Sequence, residues 1–88
     1  MIDMYKSYVV TCNLIEIQHC MMKVINIVRS GRCVGFSRTD DKITFHFPTK
    51  GGAMIAFLEL ETFLGNVSVS TNPLDIKNIK LKGVFKYA

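Results

Sequence analysis

In the stretch KITFHFP at residues 42–48, apolar and polar side chains alternate strictly, Ile43, Phe45 and Phe47 against Thr44 and His46. A period of two is that of a β-strand with one face on a core and the other turned away from it. Residues 33–38 precede this stretch across Asp40-Asp41, a short polar turn between alternating segments that marks a hairpin, and Pro48 and Thr49 close it. With one apolar face available, the two phenylalanines must supply the core, and another layer must cover them.

Two helical patterns can provide that layer. Leu14, Ile17, Met21, Val24 and Val28 recur at spacings of three and four, which predicts a helix over about 14–30 with Glu16, Lys23 and Asn26 turned away. Asn13 is placed to cap it, with Glu16 three residues on to reach back; Arg29 suits the negative end of its dipole, and Gly31 is the expected left-handed terminator. The second pattern, about 50–64, sets Ala53, Phe57, Leu60 and Leu64 on one stripe widened by Ala56 and Phe63, and Gly65-Asn66 ends it. β-branched and aromatic residues at 4–12 read as a first strand. Residues 67–70 read as a short strand, Thr71-Asn72-Pro73 as a turn, and 79–87 as a final strand.

The order strand, helix, hairpin, helix, strand predicts an α+β chain with the ferredoxin-like βαββαβ arrangement, an antiparallel sheet carrying two helices on one face. At 88 residues this is a single domain, 1–88, with room for one site. The hydrophobic fraction, 49%, can offset the entropy of ordering such a chain. The start MIDMYKSYVV lacks the pattern of a secretory signal, and AMIAFL at 53–58 is far too short to span a bilayer. Cys12, Cys20 and Cys33 form no CxxC pair and cannot all be bridged within one chain, so free, buried thiols in the cytoplasm are expected.

Reactive constellations are sparse. Cys12, Cys20, Cys33, His19 and His46 lack the paired spacings of a structural zinc site, so no metal or other cofactor is expected. Glu59 and Glu61 are two apart on a helix and diverge. KGG at 50–52 lacks the remaining signature of a phosphate-binding loop, and its glycines are expected to ease a strand-to-helix turn. No catalytic residue is assigned, and the chain is expected not to be an enzyme. An RNA-recognition motif shares this order of elements, and VVTCNL at 9–14 is similar to its first signature at Asn13-Leu14. That motif needs aromatics on the open sheet face, whereas here the phenylalanines serve the core and Val10 stands at an aromatic position.

Charge gives the main functional lead. The net charge is +4, and residues 67–88, with Lys77, Lys80, Lys82 and Lys86 against Asp75 alone, hold +3 of it. Lys80, Lys82 and Lys86 fall on alternate positions with Val84 between them, opposite Ile79, Leu81, Phe85 and Tyr87, which are expected to pack inward. Same-face residues on a strand lie about 6.6 Å apart, close to the phosphate spacing of an extended nucleic-acid strand. The expected function is a small binding module that engages RNA or single-stranded DNA through backbone phosphates. Its contacts would be Lys80, Lys82 and Lys86, supported by Lys77 and Arg38 and extended by Arg32 where the fold allows. Lysines on a terminal strand also guard sheet edges against pairing. A second reading is a small phage-type inhibitor or antitoxin that binds and blocks a host enzyme or toxin, an acidic protein partner, with RNA able to join the complex. No membrane partner is expected, while a sheet face bearing Ser37, Thr44 and His46 could pair with a second copy.

Overall fold

The structure, a computed structural model, describes residues 6–75 and 79–87. Its elements are β1 (Lys6–Asn13), α1 (Leu14–Ile17), α2 (Met21–Ser30), β2 (Gly35–Arg38), β3 (Lys42–Phe47), α3 (Lys50–Leu60), β4 (Val67–Val69), β5 (Leu74–Asp75) and β6 (Gly83–Val84). The hairpin forms as the alternation requires, with Phe36 opposite Phe45 and Arg38 opposite Ile43. β3 pairs along most of β1, Val10 facing Phe45 and Cys12 facing Ile43. Those four side chains and Phe47 are buried on the helix side of the sheet, together with Ala53, Ala56 and Leu60 of α3. α3 packs on β1, β3 and β4 and against α2.

The first helical pattern is split at residues 18–20. Cys20 N donates to Ile17 O at 3.1 Å to close α1, and Val24 N donates to Cys20 O at 3.0 Å to open α2. The apolar stripe survives this break: Ile17, Val24 and Val28 are fully buried, and Leu14 and Met21 pack at the core's margin. The Asn13 side chain makes no capping bond. Leu14 N instead donates to Asp41 O of the hairpin turn at 2.8 Å. Glu16, expected to face away, accepts from Gly65 N at 2.6 Å and so ties the first helix to the turn that follows α3.

The end of α2 also differs from expectation. Gly31 has φ −83°, and Arg32, at φ 64°, takes the left-handed position. Arg32 N donates to Arg29 O and Cys33 N to Val28 O, each at 3.0 Å, the two bonds of a Schellman ending. Gly31 is needed for another reason. A Cβ there would lie 2.8 Å from Gly52 O and from the Phe47 ring, and one on Gly52 would lie 2.5 Å from Gly31 O. The two glycines let the end of α2 touch the first turn of α3, backbone to backbone. Gly51 and Gly52 lie inside that helix, capped by the Thr49 hydroxyl accepting from Gly52 N at 3.0 Å.

The ferredoxin-like βαββαβ expectation is overturned by the sheet. It has six strands in the order β4-β1-β3-β2-β6, with β5 also on β1, and three helices accompany it. Thr71-Asn72-Pro73 does not turn the chain back. Val10 faces Val69 and Ser7 faces Leu74, both antiparallel, so residues 67–75 continue along one edge of β1 with an interruption at 70–73, which includes Pro73 with no N–H to give. That edge is thereby occupied, and β3 holds the other. The final segment pairs instead with β2, Gly35 facing Val84 and Phe36 facing Gly83, as a strand of two residues where a strand over 79–87 was expected.

The two neighbouring glycines of α3 should respond oppositely to alanine. Nothing lies within 4 Å of a Cβ on Gly51, so Gly51→Ala should stabilise by about 0.5–1 kcal/mol through helix propensity. Gly52→Ala forces the helices apart and should cost about 1–3 kcal/mol. Urea midpoints of the two variants should fall on opposite sides of the parent's.

Candidate nucleic-acid interface

The final segment keeps its alternation in exposure. Lys80, Lys82, Val84 and Lys86 are exposed, and Ile79, Leu81, Gly83, Phe85 and Tyr87 are half-buried between them. It is held to β2 by Lys82 N donating to Phe36 O at 2.8 Å and Phe85 N donating to Val34 O at 3.0 Å. The inward row does not enter one core as expected. Phe85 contacts Phe36 on the helix side, ring centroids 6.4 Å apart. Leu81 instead approaches Gly35, where a Cβ would meet its Cδ1 at 3.0 Å on the side that Val84 shares. Since pairing is regular only at Gly83–Val84, the lysines project from the two flanks of a short strand. Arg38, exposed at the end of β2, joins Lys82 in a shallow pocket with Phe36, Thr39 and Asp40. Lys77 lies outside the described residues.

Arg29 joins the basic edge by a route the sequence reading missed, and Arg32 by one it left conditional. Arg29 lies 5.1 Å from the Tyr87 ring and 5.7 Å from Phe85, and Arg32 lies 5.0 Å from Tyr87. Arg29 also donates to Lys86 O at 3.3 Å, and the Tyr87 hydroxyl donates to Cys33 O at 2.6 Å. Each contact fastens the final segment to the turn after α2. Burial and the Cys33 thiol push the Tyr87 hydroxyl's pKa up, so it remains a donor at neutral pH. The available signal was two arginines, Arg29 and Arg32, close together around the expected helix end. Their aromatic partner, more than 50 residues away in sequence, carries no local mark.

On the other face of the sheet, His46 is buried beside a buried Ser7. Ser7 Oγ donates to Leu74 O at 3.4 Å. With that hydrogen committed, His46 Nδ1 donates to Ser7 Oγ across 3.1 Å, and Nε2 lies 3.0 Å from Ser37 Oγ. Burial lowers the His46 pKa. The face expected to be free to pair with a second copy is thus covered at this end, although Ser37 and Thr44 stay half-buried.

The His46 ring serves neither buried thiol. Burial pushes Cys12 and Cys33 up to about 12, and the Cys33 thiol donates to Gly35 O at 3.2 Å. Protonated thiols of this kind are poor nucleophiles and poor metal ligands. Cys20 is only partly buried, its sulfur 3.6 Å from Glu16 O. Among the described residues, no three His, Cys, Asp or Glu side chains gather in a way that could hold a metal ion, and no helix is long and apolar enough to cross a membrane.

The chain matches no known protein family. It likewise matches no curated protein and no solved structure.

His46 makes folding sensitive to acid. Its folded pKa is below the unfolded value of about 6.5, so the unfolded chain takes up the proton first. Its contribution is complete above that value and is lost as pH falls toward the folded pKa, by up to about 1.4 kcal/mol per pH unit. Urea midpoints measured at pH 7.5 and 5.5 should fall for the parent, and His46→Gln should remove that part of the fall.

Proposed function

We propose that this chain is a non-enzymatic, cytoplasmic binding module that engages RNA or single-stranded DNA through its backbone phosphates. The observation that carries the reading is the convergence of exposed cations along the β2–β6 edge. Lys80, Lys82 and Lys86 alternate there, Arg38 lines one pocket with Lys82, and Arg29 and Arg32 lie over the Tyr87 ring. Lysines supply point charges for phosphates, and arginine planes on an aromatic ring add surfaces on which unpaired bases can stack. Such binding is electrostatic and weakly sequence-selective.

A second reading, a small inhibitor or antitoxin that binds and blocks another protein, draws on α3. Its outward Ile55 and Leu58 are 58% and 53% exposed, which gives this helix an apolar solvent side as well as an apolar core side. That pair would suit a protein surface better than a nucleic acid.

The test is binding of a labelled single-stranded RNA across a salt series. Three lysine contacts on a single strand should contribute about −2 to the log–log slope, from about 0.7 per contact. The variant with Lys80, Lys82 and Lys86 all changed to Gln should keep its fold, bind more weakly and lose that part of the slope. Absence of binding by the parent, or equal slopes for both chains, would reject the phosphate-binding reading in favour of a protein partner.

A further inference from the structure

The helices pack chiefly over β1, β3 and β4, and beside that packing an apolar cavity of about 280 Å³ opens toward β2 and the final segment. Phe36, Phe45 and Phe85 form one side of it, and Met21 and Ile25 of α2 another. The phenylalanine rings are tilted against one another, with Phe36 6.4 Å from each of the other two. Among the described residues that line it, Arg38 alone has a charged side chain. The shallow pocket that also holds Lys82, Thr39 and Asp40 adjoins the cavity, since Phe36 and Arg38 line both.

An apolar chamber with a single guanidinium at its edge and a second cation just outside has the polarity of an amphipathic anion. We propose that this cavity binds a medium-chain acyl anion, its chain among the phenylalanines and its carboxylate on Arg38. Phe36 and Arg38 alternate with Ser37 along β2 and so share the helix side of the sheet, which sets the charge directly beside the apolar wall. Arg38 cannot lose its proton at neutral pH, and its planar fork can meet a carboxylate with two hydrogen bonds. Lys82 adds attraction from the outer pocket, whereas Asp40 opposes it. Met21, flexible and polarisable, lets the wall adapt to a chain. At about 30 Å³ per water-sized group the cavity holds roughly nine such groups, which sets the chain length near eight or nine carbons. The inference uses the interior beneath α2, so it stands independently of whether the outer edge binds nucleic acid.

The test is calorimetric titration of the full chain with hexanoate, octanoate and decanoate, and with octanol as the uncharged comparison. Affinity should rise by up to about fourfold per methylene until the chamber is full, then level off. Octanol should bind at least tenfold more weakly than octanoate. Arg38→Gln, at an exposed position, should erase that preference while leaving octanol unchanged, and Asp40→Asn should tighten octanoate. Ile25→Phe narrows the chamber from the α2 side and should weaken binding of both ligands, with circular dichroism and a cooperative melt confirming its fold. No saturable binding of octanoate by the parent, equal affinity for octanol, or unchanged octanoate binding by Arg38→Gln or by folded Ile25→Phe would each overturn the assignment.

Discussion

The arrangement rests on the hydrogen bonding of β1, which is committed on both of its edges. β3 runs along one edge, and β4 followed by β5 runs along the other. A strand paired on both sides has no backbone groups left for a further partner. The last segment pairs instead with the outer edge of β2, at the opposite end of the sheet from β4. From this one constraint follow the six-stranded order, the approach of Tyr87 to the end of α2, and the gathering of cations on an edge instead of over a face.

Much of the local architecture was legible because it depends on short-range patterns. The alternation through 42–47 gave the hairpin and its buried side, and the spacing of Ile17, Val24 and Val28 identified the residues that would be buried on the first helical pattern. The same stripe concealed the break at 18–20, because a three-and-four spacing is compatible with one helix or with two in succession. Asn13 and Glu16 form a sound capping pattern, yet Glu16 is drawn to Gly65, 49 residues away. Gly31 is the most instructive case. Glycine at a helix end is normally read as freedom to adopt a positive φ, but here its value is the missing Cβ that Gly52 would otherwise strike. The left-handed residue is then Arg32, whose side chain reaches Tyr87.

The candidate site was legible to a similar degree and for the same reason. Alternate lysines are a sequence property, and Lys80, Lys82 and Lys86 are exposed in turn. What surrounds them depends on the sheet. Arg38 meets Lys82 because the final segment pairs with β2, and Arg29 and Arg32 join because the segment continues past β6 to the end of α2. The helix layer has its own asymmetry: α3 exposes Ile55 and Leu58, so its apolar character exceeds what the core uses. A charged edge and a partly apolar helix surface give one small domain two chemically distinct exteriors.

The tether of Tyr87 to Cys33 spans 54 residues. A contact of such separation closes a long loop, and its entropic penalty falls due before the pairing returns anything. The two residues of β6 are too few to nucleate the strand by themselves, so it should be among the last parts of the sheet to assemble and among the first to open. The basic edge is then a late acquisition of the folding chain. A ligand spanning Lys82 on the strand side and Arg29 on the helix side would hold this seam closed, and its binding would be measured partly as slower opening of the C-terminal segment.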